Sequence, residues 1–160
     1  MAKGYTVPDN MLTSWKKYQK QQANDWDPKE KTSYYYYYND DLEQAYRLYT
    51  LALAKAPELG AMNRLREYKG ISTAAKWRLA AAYQIANYPN EAKKLAQNTP
   101  LTVTPYAEMS YSYGSDERDV AMILEALALM NESTKAFTLV KTLSSELSNE
   151  NSWISTQTTA

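Results

Sequence analysis

The sequence predicts an all-α protein of repeated helical hairpins, a partial α/α toroid, on three observations. Apolar residues recur at helical spacing along most of the 160 residues, while alternating strand patterns are almost absent. Pro57 and Pro89 lie 32 residues apart, each between an Ala-rich helix and a shorter, more charged one. The tetratricopeptide pattern fits poorly, because its proline closes the second helix instead of separating the two. Hairpins repeating every 32 to roughly 42 residues bury their apolar faces only against neighbours, which is the logic of an α-solenoid or α/α toroid.

The first helix opens at Pro8 and Asp9, sets Met11, Leu12, Trp15 and Tyr18 on one face, and ends near Trp26. A polar connection with the aromatic run Tyr34 to Tyr38 follows. Asp40 or Asp41 caps a strong helix through Leu42, Ala45, Tyr46, Leu48, Tyr49, Ala52 and Leu53. Pro57 starts the turn into a returning helix marked by Ala61, Met62 and Leu65. Ser72 or Thr73 caps the next helix, through Trp77, Leu79, Ala80, Tyr83 and Ile85, and Pro89 opens its short partner with Ala92, Leu95 and Ala96. Thr99 to Ser115 is non-helical, with Pro100, Pro105 and a Tyr111-Ser112-Tyr113-Gly114 turn. In the third hairpin Asp116 caps Val120, Ile123, Leu124, Leu127 and Leu129, and Ala136, Phe137, Val140, Leu143 and Leu147 return after a bend at Asn131 to Ser133. At least six helices are expected, with Leu48, Leu53, Leu79, Ile123, Leu127, Val140 and Leu143 buried.

Composition removes whole classes of function. The 18 basic and 18 acidic residues cancel, with no long basic run, so neither a nucleic acid nor direct membrane contact is expected. With no Cys and no His, thiolate catalysis, disulfides, the usual zinc sites and a Ser-His-Asp arrangement are excluded within the chain. No catalytic, cofactor-binding or metal-binding residue is assigned, and no cofactor is expected. No window is long and apolar enough to span a membrane, and the first residues carry no targeting signal. Fifteen Tyr against one Phe suit shallow burial between layers or domains, where the ring packs and the hydroxyl stays wet.

Several strings resemble one family. They are Gly4-Tyr5-Thr6-Val7-Pro8 leading to Trp15 and Gln19; Gln44-Ala45-Tyr46-Arg47-Leu48-Tyr49 continuing to Leu59-Gly60-Ala61-Met62-Asn63-Arg64-Leu65; Tyr113-Gly114-Ser115-Asp116-Glu117-Arg118-Asp119; and Trp153-Ile154-Ser155-Thr156-Gln157-Thr158-Thr159-Ala160. In this order they resemble the helical, thioester-type domain of the bacterial alpha-2-macroglobulins. The resemblance implies a non-catalytic piece of a large periplasmic or cell-envelope protein that entraps proteases after a bait segment is cut. Its partners would be the other domains of the parent and, through the parent, proteases.

The thioester of that family needs Cys and Gln in a Cys-x-Glu-Gln arrangement. Asp41-Leu42-Glu43-Gln44 copies the spacing, but an aspartate cannot form the bond, so no thioester is expected in this chain. Two other classes are weighed beside this one: a helical repeat scaffold binding a protein or peptide, and a fragment of an α/α-toroid glycosidase. The latter would need two carboxylates about 5 to 9 Å apart, drawn from Asp40, Asp41, Glu117 and Asp119. Capping and dipole pairing explain Asp40, Asp41 and Glu117 at helix starts without catalysis.

The Tyr34 to Tyr38 run is read as a packing surface before a sugar or peptide platform. Arg118 is read as bridging the Tyr113-Gly114-Ser115 turn to the helix start before binding a ligand with Asp119. Trp15, Trp26, Trp77 and Trp153 are expected to be core or interlayer anchors, each needing a partner for its indole N–H. Residues 1–160 are read as one helical domain, a truncated piece of a toroid. Apolar surface is therefore expected near Trp153, Ile154 and the first helix, and with it self-association.

Overall fold

The computed structural model describes residues 6–28, 40–105 and 114–148. Among them the chain forms seven helices and no strand: α1 (Asp9–Asp25), α2 (Asp40–Leu53), α3 (Leu59–Glu67), α4 (Thr73–Ile85), α5 (Pro89–Gln97), α6 (Asp116–Leu129) and α7 (Ser133–Leu147). The all-α class and the positions of the predicted helices agree with the sequence. Tyr34 to Tyr38, Tyr111 to Tyr113, Trp153 and Ile154 lie outside the described residues.

α4 is the centre. It packs against α2 on one side and α6 on another, and also touches α3 and α5, while α1 covers α2 and α3, and α7 covers α6. An Ala-rich helix suits this place, since small side chains let neighbours approach from several directions. Nine of its thirteen residues are buried, so it lacks the polar face of a surface helix.

The three hairpins close with one and the same turn. Lys55, Asn87 and Asn131 adopt left-handed φ of 55°, 67° and 59°. In each, the amide after the left-handed residue donates back five residues: Ala56 to Leu51, Tyr88 to Tyr83 and Glu132 to Leu127, all at 2.9 Å. This is the Schellman closure, which satisfies carbonyls that a helix end leaves orphaned. A lysine in this conformation is strained where a glycine is not. Lys55→Gly is therefore expected to stabilise the chain by about 1 kcal/mol, a rise of roughly 2–4 °C in a thermal dichroism melt. Asn131→Gly should gain less, because asparagine tolerates the left-handed region.

Helix entries match the sequence in part. Ser72 caps α4, its hydroxyl accepting the Ala75 N–H at 3.3 Å. Pro89 is the first residue of α5. At α6 the cap is Ser115, which accepts the Arg118 N–H at 3.1 Å, and not Asp116. Serine takes this place because its extended backbone aims the short hydroxyl at the third amide.

Leu48, Leu79, Ile123 and Leu127 are buried as expected. Leu53 is not: it is 55% exposed. It stands about 200° round the helix from the buried Leu51, in the last turn, so one of the two must face outward. On α7 the buried residue is Leu139, while Leu143 is half-buried and Val140 is 44% exposed. The apolar arc of α7 is wider than its contact with α6, and packing chooses Ala136, Leu139 and Leu143 from it.

Candidate functional site

The polar groups that stand out gather where α2, α4 and α6 meet. Arg78 is the one charged residue between Lys76 and Glu91, and it is only 2% exposed. Its guanidinium lies over two rings of α2, 4.6 Å from the centroid of Tyr46 and 4.3 Å from that of Tyr49. One terminal nitrogen donates to Oε2 of Glu125 on α6 at 2.6 Å. The other carboxylate oxygen of Glu125 accepts the Tyr49 hydroxyl at 2.7 Å. Nε of Arg78 is buried with no hydrogen-bond partner among the described residues. Three adjacent helices are thus tied through one cation, two tyrosines and one carboxylate.

The electrostatics follow from that arrangement. Burial, with Glu125 beside it, pushes the Tyr49 hydroxyl up to about 12. Burial alone would raise the Glu125 carboxyl, but the Tyr49 hydroxyl and the Arg78 guanidinium together hold it below the usual carboxylate range. Burial also pushes Tyr83 up to about 12, and its hydroxyl donates to Asn63 on α3 at 2.8 Å. Both tyrosines stay neutral in the fold at a pH where the unfolded chain, titrating near 10.0, loses their protons. Their contribution is complete below pH 10 and is lost as pH rises towards 12. Tyr49→Phe and Tyr83→Phe should each reduce the fall in stability between about pH 10 and about pH 12, as measured by urea unfolding followed by dichroism at a series of pH values.

A second polar junction joins α1 to α2. Gln44 is fully buried and donates to the Ala23 carbonyl at 2.9 Å. Arg47 donates to Gln44 at 2.7 Å, to Gln19 at 3.2 Å and to Glu43 at 2.8 Å. Asp41 accepts the Ser72 N–H at 2.6 Å, tying the start of α2 to the start of α4. The Asp41-Leu42-Glu43-Gln44 string therefore holds helices together at both ends.

The third junction is the entry to α6. Arg118 pairs with buried Asp119 at 2.7 Å, and its guanidinium lies so close over Gly114 that a Cβ there would overlap it. This is the bridging role expected from the sequence at Gly114 and Ser115. Burial, then Glu117 beside it, holds the Asp116 carboxyl above the usual range.

Two of the four acids weighed for glycosidase chemistry are taken up by structural contacts. Asp41 is committed to a backbone amide and Asp119 to Arg118. Glu117 stands in the first turn of α6, and the Asp40 side chain lies outside the described residues. Among the described residues no group of three or more acids is placed to hold a metal, and no helix is long and apolar enough to cross a membrane. Of the tryptophans, Trp77 is buried and its indole donates to the Pro100 carbonyl at 2.7 Å. Trp26 packs edge-on against Tyr68 at 5.9 Å, but its buried indole N–H has no partner among the described residues, contrary to expectation.

Sequence reasoning missed the Arg78 cluster. The available signal was a lone charge inside an apolar, Ala-rich helix, where an arginine is out of place unless it is paired.

Over 97% of its length this chain is similar to part of Escherichia coli alpha-2-macroglobulin in its native conformation, with a TM-score of 0.77 and 23% identity. The chain has the fold of a bacterial alpha-2-macroglobulin segment. The same protein activated by porcine elastase matches over 97% of this chain with a TM-score of 0.71 and 22% identity. The chain spans only 10% and 14% of those two alpha-2-macroglobulin chains. No family model and no curated protein matches the sequence. At this identity the fold is what the chain and the alpha-2-macroglobulin segment share.

Proposed function

We propose that the chain is a non-catalytic helical part of a bacterial alpha-2-macroglobulin-like inhibitor, a cell-envelope or periplasmic protein that entraps proteases. The observation that carries this reading is the likeness over 97% of the chain at a TM-score of 0.77. The resembling strings at Gln44 to Tyr49, Leu59 to Leu65 and Gly114 to Asp119 fall within structured helices and caps, which supports the same reading. The chain is one piece of a larger α/α toroid, and its role is architectural. Its polar clusters join helix to helix, and it carries no thiol from which a thioester can form. The partners are the other domains of the parent and, through them, proteases.

The test uses the longer protein that carries this chain, with porcine elastase as the probe. Elastase should co-elute with the cleaved parent, retain activity on a small chromogenic peptide and lose activity on a large protein substrate. Free elastase with undiminished activity on the large substrate would overturn the reading. The 160-residue chain alone should neither inhibit elastase nor gain mass with methylamine.

A further inference from the structure

We propose that the groove between α1 and α2 is a binding site for a neutral hexose sugar. Among the described residues it is lined by Trp15 and Gln19 from α1 and by Glu43, Tyr46, Arg47 and Thr50 from α2. Its open space is about 330 Å³, at the lower end of the range of small-molecule sites. The inference goes beyond the architectural role, because it concerns a surface that helix packing leaves open.

The lining is of two kinds. Trp15 and Tyr46 are half-buried and rest only partly on the core. A hexose whose hydroxyls are equatorial turns its C–H bonds to its two faces, and these weakly positive hydrogens suit the negative face of an aromatic ring. The other four residues carry donors and acceptors. Arg47 is taken up by its neighbours: Nε donates to Gln19 at 3.2 Å, and the two terminal nitrogens donate to Gln44 at 2.7 Å and to Glu43 at 2.8 Å. It therefore acts as a brace for the groove wall. Gln19 spends its oxygen on this brace and Glu43 one of its two, which leaves the Gln19 NH2 group and the second Glu43 oxygen for a ligand. The Thr50 hydroxyl donates to the Arg47 carbonyl at 3.0 Å and keeps its oxygen as an acceptor. Sugar hydroxyls both give and take a hydrogen bond, so they can use donors and acceptors of this mixed wall alike.

Charge narrows the ligand further. The lining holds one acid and one base, and these two pair with each other at 2.8 Å, so neither an anion nor a cation gains by entering. An apolar helix is a poor occupant as well, since it would cover the Gln19 amide and the Glu43 carboxylate without giving them a hydrogen bond. A neutral molecule with many hydroxyls and an apolar face meets both kinds of wall. The aromatic surface continues along α1, where Tyr18 is 58% exposed one turn beyond Trp15.

The test uses the 160-residue chain labelled with 5-fluorotryptophan, in which four tryptophans give four fluorine resonances. Trp15→Phe assigns the resonance at the groove, and Trp77→Phe that of the buried ring. The probes are cellobiose and cellopentaose, which are neutral and have equatorial hydroxyls, with trigalacturonate as the charged control. Millimolar neutral sugar should shift the Trp15 resonance saturably and leave that of Trp77 unmoved. Glu43→Ala changes an exposed side chain, and an unmoved Trp77 resonance shows that its fold is kept. It should bind about tenfold more weakly, through the lost hydrogen bond to a charged acceptor. Tighter binding of cellopentaose would support the site with a glycan chain as its ligand, and equal binding would support it with a free short sugar. Absence of a saturable Trp15 shift with either sugar would overturn the proposal. So would trigalacturonate binding as well as the neutral sugars, or full affinity in Glu43→Ala. None of these outcomes bears on protease retention by the parent, so the sugar site and the family reading fail separately.

Discussion

Glu125→Ala is expected to destabilise the chain by about 3–5 kcal/mol, although the side chain it removes is 48% exposed. The loss arises on the other partner. Arg78 is 2% exposed and Glu125 is the carboxylate that balances it, so truncation leaves a guanidinium buried with the flanking tyrosine rings as its compensation. Tyr49 loses its acceptor as well. Arg78→Met in the same background should recover most of the loss, because an apolar side chain of similar length fills the space between Tyr46 and Tyr49 without a charge to desolvate. Urea unfolding of the wild type, the two single variants and the double variant measures this cycle. A double variant as unstable as Glu125→Ala would show that the charge is not the cause. The pair also carries an acid limit. The carboxyl is held below its ordinary 4.5, so its contribution is present above that value and is lost as pH falls through the lower folded value.

Trp77→Ala is expected to cost about 3–5 kcal/mol, through two losses at one residue. The ring is 1% exposed in the central helix, so its removal opens a cavity that α4 cannot close without moving α5 or the turn from α6 to α7. Its indole N–H also holds the Pro100 carbonyl, which anchors the segment leaving α5. Trp77→Phe keeps most of the packing and loses that hydrogen bond, so it should cost about 1–2 kcal/mol less than the alanine change. Leu53→Ala and Val140→Ala, apolar in sequence but exposed in the fold, should stay within about 0.5 kcal/mol of wild type. Thermal melts of the four variants rank them. A Val140 effect as large as that of Trp77 would contradict the placement of α7.

Helix existence and turn position were readable from the chain because they are local. Apolar spacing marks a helix, Ser72 and Pro89 mark entries, and the 32-residue separation of the bend prolines anticipates the separation of Lys55 and Asn87. The bridging role of Arg118 was readable for the same reason, since its partners are sequence neighbours. The functional exclusions needed composition alone: without Cys or His, thioester and imidazole chemistry have no atoms to use.

Which face of each helix turns inward was decided only by tertiary packing. The apolar arcs of α2 and α7 are wider than the contacts available to them. The sequence therefore allowed Leu53 and Val140 inside, and the neighbours buried Leu51 and Leu139 in their place. The Arg78 cluster belongs to the same class, because its three helices bring together residues 46, 49, 78 and 125, which no local pattern relates. A charge within an alanine-rich helix announces that a partner is needed. Only the stacking of α6 on α4 places Glu125 where the desolvated guanidinium can use it.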